Sequence, residues 1–175
     1  MMKIPAKAIG IIGLALCLGA CAISKPVNVG DTEAQVIAAR GNPTSRYRVG
    51  NEQILEYNRL PYGQETYLAR LGPDGRVISF EQVLTDEKFA AIRINQDTKE
   101  DVLHLIGAPD EKTWLPLPRQ EVWSYPYREN GVWNSIMHVH FDESGIVRRL
   151  EKTPDVRFLD RGNVLGGGPG GGGMR

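Results

Sequence analysis

Residues 96–109 read QDTKEDVLHLIGAP and residues 30–43 read GDTEAQVIAARGNP. Asp31, Thr32, Val36, Gly41 and Pro43 fall on Asp97, Thr98, Val102, Gly107 and Pro109 at one offset of 66 residues (96 minus 30). A shared offset at five positions marks a duplicated unit. Each copy begins with a helix start signal, because Thr32-x-x-Gln35 and Thr98-x-x-Asp101 can close the reciprocal hydrogen bonds of a capping box. Gly41 and Gly107 supply a stop, and Pro43 and Pro109 cannot continue a helix. A helix of about ten residues is expected in each copy, with Val102, Leu103, Leu105 and Ile106 gathered on one side of the second.

Working outward, the residues after each helix alternate in the manner of strands. Val122 to Tyr127 carries aromatics at every second position, which puts Trp123, Tyr125 and Tyr127 on one face. Pro126 suggests an edge or a bend there. A turn at Glu129-Asn130-Gly131 leads into Trp133 to Phe141, and Asp142 to Gly145 forms a hairpin connection to Ile146 through Glu151. The first copy repeats the plan with Ile54 to Leu60, Glu65 to Leu71 and Arg76 to Val83, and a short extra strand is open at Ser45 to Val49. Tyr57 matches Tyr125 at an offset of 68 and Gly75 matches Gly145 at 70, so small loop insertions separate the copies. The expected fold class is α+β, two tandem repeats, each a short helix followed by a three-stranded antiparallel meander. The boundaries follow as 30–85 and 94–155, joined by a linker helix at 86–93. A unit of about 60 residues buries only a marginal core, so the copies are expected to pack together.

The two ends are of another kind. Residues 1–20 combine Lys3 and Lys7 with an apolar run too short to span a membrane comfortably, as in a secretory signal. Leu18-Gly19-Ala20-Cys21 resembles the bacterial lipobox, which implies cleavage before Cys21 and its acylation, palmitate included; an ordinary secretory signal cut nearby is the alternative. Cys17 would leave with the signal, so the mature chain would have no disulfide. Several acyl chains hold far more firmly than one. Ala22 stands where Asp would resemble an inner-membrane retention signal, so the outer membrane, at its periplasmic face, is the expected address. Residues 21–29 form a tether, and 156–175 a glycine-rich tail expected to be disordered from about Gly162.

Loss of Lys3 and Lys7 leaves 19 of 21 basic residues against 21 acidic ones, and this near-neutrality argues against nucleic acid as partner. No serine lies in a nucleophile-elbow pattern and no phosphate loop is present, so no enzyme is expected. His138 and His140 share a strand face, but two ligands do not make a metal site. They suit a polar sheet face with Val139 and Phe141 turned to the core, and no metal or cofactor is expected.

The span from Ile94 to Arg149, with its D-T-x-x-x-V, L-I-G-x-P, V-W-x-Y and H-F-D-x-x-G-I-V elements, resembles the SmpA/OmlA (BamE-like) outer-membrane lipoprotein domain. That resemblance implies a non-enzymatic scaffold beside the β-barrel assembly machinery, in contact with its subunits and with anionic phospholipid. In the family an aromatic stretch ending in arginine leads into the binding surface, and it matches Trp123, Tyr125, Tyr127 and Arg128 here. Ser124 replaces a family aromatic. Candidate contact residues are therefore Arg128 and Tyr127. Trp114 joins them from the proline-rich segment Thr113 to Pro118, read as an irregular apolar loop that is either a partner site or folded against the sheet. From the residues alone, Trp123, Tyr125 and Tyr127 suit core packing better than an exposed stripe. The tandem arrangement also resembles the architecture of the β-lactamase inhibitory protein, which implies the alternative of a periplasmic module gripping a soluble enzyme.

Overall fold

The computed structural model describes residues 25–158. The expected signal peptide, with Cys21, and the tail from residue 159 lie outside the described residues. In chain order the elements are α1 (Glu33–Arg40), β1 (Ser45–Val49), β2 (Glu52–Asn58), β3 (Thr66–Leu71), β4 (Val77–Gln82), α2 (Asp86–Ala90), α3 (Lys99–Ile106), β5 (Glu111–Leu115), β6 (Gln120–Glu129), β7 (Trp133–Phe141) and β8 (Val147–Pro154). A 3-10 turn at Val156–Phe158 follows, so ordered structure runs past 155.

The helix signals act locally. At α1 the Thr32 side chain accepts from the Gln35 N–H, and the Gln35 side chain accepts from the Thr32 N–H at 2.8 Å. At α3, Thr98 and Asp101 make the same exchange, and these hydrogen bonds hold the Asp101 carboxyl below the ordinary range. Both helices stop at a glycine with φ near +80° and ψ near −170° (83 and −170 at Gly41, 79 and −169 at Gly107), a region essentially reserved for glycine.

The strands correct the expected fold class. Each repeat carries a four-stranded antiparallel sheet, in the orders β1-β2-β3-β4 and β5-β6-β7-β8, and the described chain is mostly β with three short α-helices. A helix followed by three strands is therefore not the unit. In the first repeat the segment Ser45 to Val49 is a full ladder partner of β2, with Tyr47 opposite Ile54. In the second, Glu111 to Leu115 pairs with Gln120 to Ser124. The prolines that argued for an irregular loop, Pro116 and Pro118, sit in the turn joining β5 to β6, and the strand before them is proline-free. Pro126 lies past the end of β5, where β6 has a free side and a missing N–H costs no ladder bond.

The two faces of the first sheet have different neighbours. Leu55, Ala69, Leu71 and Val77 form one cluster with Val36 of α1. Ile54, Leu68 and Val83, on the opposite face, join Phe89 of α2, Val102 and Ile106 of α3, and Trp123, Tyr125, Tyr127, Val139 and Phe141 of the second sheet. The layers run α1, first sheet, α2 with α3, second sheet. With both faces covered, β2 has three consecutive buried residues, Ile54, Leu55 and Glu56, in place of the half-buried alternation of an open sheet.

Glu56 sits within this interior with no exposed surface. Its carboxyl accepts from the Tyr47 hydroxyl and, at 3.1 Å, from the Ala108 N–H just past α3. The Asn58 side-chain amide donates to the Ala108 carbonyl, the Arg70 guanidinium to the His104 carbonyl, and the Tyr125 hydroxyl to the Gly107 carbonyl. The end of α3 is thus satisfied by side chains of both repeats.

Gly41 and Gly107 separate backbone strain from crowding. A Cβ at Gly41 meets open space, whereas one at Gly107 would stand 2.9 Å from the Thr66 methyl and 3.1 Å from the Glu56 carboxyl. Gly41→Ala is expected to lose only the conformational cost, about 1–3 kcal/mol. Gly107→Ala should lose about 1–3 kcal/mol more by overpacking, as read by urea unfolding; equal losses would mean the lobes yield without strain. Glu56→Gln, which turns one of the two accepting oxygens into a donor facing either the Tyr47 hydroxyl or the Ala108 N–H, is expected to cost about 1–3 kcal/mol in the same assay.

Candidate partner-binding surface

The sequence-derived candidates separate in space. Tyr127 is fully buried: its ring meets Phe89 at 4.8 Å between centroids and its hydroxyl donates to Asp86 at 2.9 Å. It belongs to the core between the sheets and cannot offer its ring to a partner; burial, with the Asp86 carboxyl beside it, raises its pKa. Trp123 and Tyr125 are buried on the same face of β6. Arg128, the next residue, turns to solvent and keeps one neutral partner, the Asn134 side-chain oxygen at 3.1 Å. Trp114 stands half-exposed on the edge strand β5, one rung from Lys112, whose ammonium lies 4.4 Å from the Trp123 ring centroid. Arg128 and Trp114 therefore do not form one site. Cys21 lies outside the described residues.

Arg128 stands at the mouth of a cleft where the repeats meet. One wall is the loop joining β2 to β3, with Arg59, Gln64 and Glu65, and the other is the turn Asn130-Gly131. Asp86 at the start of α2 ties the floor together, accepting from the Tyr127 hydroxyl and from the Asn130 N–H at 3.0 Å. Tyr62, fully exposed, overhangs the rim.

After the Asn130-Gly131 turn comes an apolar shoulder that the sequence did not single out. Val132, Trp133, Val156 and Phe158 are all more than half exposed, Trp133 at 68%. Trp133 is paired with Glu129 at the end of β7, on the face that carries Ser135 and Met137, but beyond the reach of the helices that cover those residues' neighbours. Phe158 is held there by the 3-10 turn: its N–H bonds the Asp155 carbonyl, and the buried Asp155 carboxyl grips Arg157 at 2.9 and 2.7 Å. These bonds hold the Asp155 carboxyl below its ordinary range. The alternation of β7 marks Trp133 as a sheet residue, but where the helices stop is a tertiary fact no local signal carries. Clustered exposed aromatics of this kind are the common currency of partner surfaces.

The outer face of the second sheet is polar and internally paired. His138 bonds Ser124 Oγ at 2.9 Å and Thr153 Oγ1 at 3.0 Å, and His140 bonds Gln120 Oε1 and the Arg149 guanidinium, each at 3.2 Å. Among the described residues no three His, Cys, Asp or Glu side chains converge as a metal site, and no helix is long and apolar enough to cross a membrane.

No family model matches the chain, and no curated protein does. Among solved structures it is similar to a DUF4309 family protein from Bacillus subtilis, at 15% identity over 71% of this chain and 79% of that one, with a TM-score of 0.31. A likeness that low carries no assignment.

The histidine pair predicts a pH dependence. Burial lowers the pKa of His138, and burial together with the Arg149 guanidinium lowers that of His140. The unfolded chain takes up these protons near pH 6.5, the folded protein only at lower pH, so stability should fall as the pH drops below about 6.5. Thermal midpoints followed from neutral pH downward should show this fall, and His138→Gln with His140→Gln should flatten it; an unchanged slope would move its origin to other groups.

Proposed function

We propose that this protein is a lipid-anchored outer-membrane scaffold, held through Cys21 at the periplasmic face, that binds protein subunits in the manner of the SmpA/OmlA domain. The resemblance over Ile94 to Arg149 supports this reading, and so does the lipobox-like Leu18 to Cys21. The observation that carries it is the exposed Arg128, whose strand leads through the Asn130-Gly131 turn into the exposed Val132 and Trp133. A cation without an acidic partner next to an apolar shoulder is suited to anchor a protein surface, and an anionic lipid headgroup is a second ligand for the same guanidinium. The family-like aromatics act from behind, because Trp123, Tyr125 and Tyr127 are buried and stiffen the strand that presents Arg128. A second reading, a module that grips a soluble enzyme, draws its support from the cleft between the repeats.

Affinity purification of the intact lipoprotein from gently solubilised envelopes, with Cys21→Ser as the unanchored control, separates the two. The scaffold reading expects barrel-assembly subunits whose recovery depends on the anchor and drops with Arg128→Glu, while the folding stability of that variant stays within about 0.5 kcal/mol of the parent. A single soluble protein retained by anchored and unanchored forms alike would select the second reading.

A further inference from the structure

Four hairpin turns lie at one end of the molecule. In the first sheet Val49 pairs with Glu52, Gln53 with Leu71 and Leu71 with Val77, so the β1–β2 and β3–β4 turns stand together. In the second, Leu115 pairs with Gln120, Glu121 with Phe141 and Phe141 with Val147, which brings the β5–β6 and β7–β8 turns together in the same way. Helix α3 aligns the two sets. It starts beside Ile146, through the Thr98 bridge, and ends at Tyr125 of the second sheet, while along the first sheet it passes Arg70 and then Glu56. The β2–β3 loop and the Asn130-Gly131 turn, with Arg128, therefore occupy the opposite end. Strand β6 runs its ten residues from one end to the other, a distance of about 30 Å.

The chain enters at the hairpin end. The Gly30 N–H bonds the Val77 carbonyl at 2.8 Å, Arg76 donates to the Gly30 carbonyl, and Val27 packs against the cluster between α1 and the first sheet. From Cys21 to Val27 is six residue steps (27 minus 21), a length of chain that spans at most about 20 Å. A tether that short cannot turn the molecule over, because the loop end would then meet the bilayer with Val27 about 30 Å above it. The hairpin end also carries apolar side chains in water. Leu117, in the β5–β6 turn, is 90% exposed and Val29, at the chain entry, 75%, and Trp114, Ile94 and Val49 are exposed with them. Arg119 of the same turn is paired with Glu143 at 2.5 Å and Arg148 with Asp142 at 2.7 Å, so these charges are already balanced. An indole beside aliphatic side chains suits the headgroup boundary of a bilayer.

We propose that the four hairpin turns face the anchoring leaflet, with Leu117 and Trp114 seated in its headgroup boundary, and that Arg128 is held at the far end, facing the periplasm. The inference rests on the lipid anchor proposed above and sharpens it. Of the two ligands suited to the Arg128 guanidinium, a protein surface stays within reach and the headgroups of the anchoring leaflet do not.

The native tryptophans report the orientation, since Trp114 stands at the hairpin end, Trp133 at the loop end and Trp123 in the core. The full acylated chain is reconstituted in vesicles of phosphatidylethanolamine and phosphatidylglycerol, with and without bromine on the acyl chains, which quenches tryptophan fluorescence only at close range. Bromolipid should quench the parent and the Trp133→Phe variant, and Trp114→Phe should lose the effect. Leu117→Asp should weaken the quenching without moving the thermal midpoint, because so exposed a side chain has little packing to lose. Quenching that follows Trp133, that is absent throughout, or that ignores Leu117→Asp would overturn the orientation. Flotation with the vesicles, against Cys21→Ser as control, reads the anchor separately. A parent chain that stays behind in solution would remove the anchor and the orientation together, whereas a floating chain without quenching at Trp114 would remove the orientation alone.

Discussion

The carboxyl of Glu56, buried between the two repeats, is the constraint on which the body of the molecule depends. A helix leaves its last carbonyls without intrahelical partners, and elsewhere water serves them. Here the end of α3 falls in the interior, so each group has to find a protein partner. His104 O has Arg70, Gly107 O has Tyr125, Ala108 O has Asn58, and the Ala108 N–H has Glu56. Tyr47 closes the set by donating to the same carboxyl, and burial and that carboxyl together raise its pKa. The polar residues Glu56, Asn58 and Arg70, set beside Ile54 and Leu68 on the face toward α3, are explained by this one requirement. They also explain why Gly107 has a crowded neighbourhood that Gly41 lacks.

What was legible in the sequence was what short-range physics decides. The capping boxes at Thr32 and Thr98 and the stops at Gly41 and Gly107 involve groups within one or two turns, and they stand where the repeated phrase put them. The limits of β7 and the inward alternation of Trp123, Tyr125 and Tyr127 were equally legible. The fourth strand of the second repeat was not, because Glu111 to Thr113 is charged and polar and exposed on an edge, where no core imposes alternation. Charged edges are also how a sheet of this kind resists pairing with another, so the feature that hid the strand has its own physical use. The candidate surface was legible only at Arg128.

The duplicated unit performs two jobs with one plan, and a few substitutions make the difference. In the second repeat, Tyr125, Met137, Leu150 and Ile106 form an apolar surface that Phe89 covers. The corresponding positions of the first repeat, at offsets of 68, 70, 70 and 66, are Tyr57, Tyr67, Phe80 and Arg40. Phe80 stacks on Tyr67 at 5.4 Å, and the exposed Arg40 guanidinium lies over both rings, 4.9 Å from the Phe80 centroid. An arginine covers aromatic surface with its stem and face while keeping its charge in water. Where the second repeat needs a neighbour, the first supplies its own cover. At the opposite end of the stack the second sheet's outer face is closed by the Ser124-His138-Thr153 and Gln120-His140-Arg149 pairings. Both outer layers are therefore finished in polar groups, as the terminal units of a repeat array have to be, and the stack stops at two. The apolar surface that escapes this finishing includes the loop end around Trp133 and Phe158 and the edge around Trp114 and Leu117. Of these two, the loop end follows in the chain on the Asn130-Gly131 turn of the Arg128 cleft, which side chains of both repeats line.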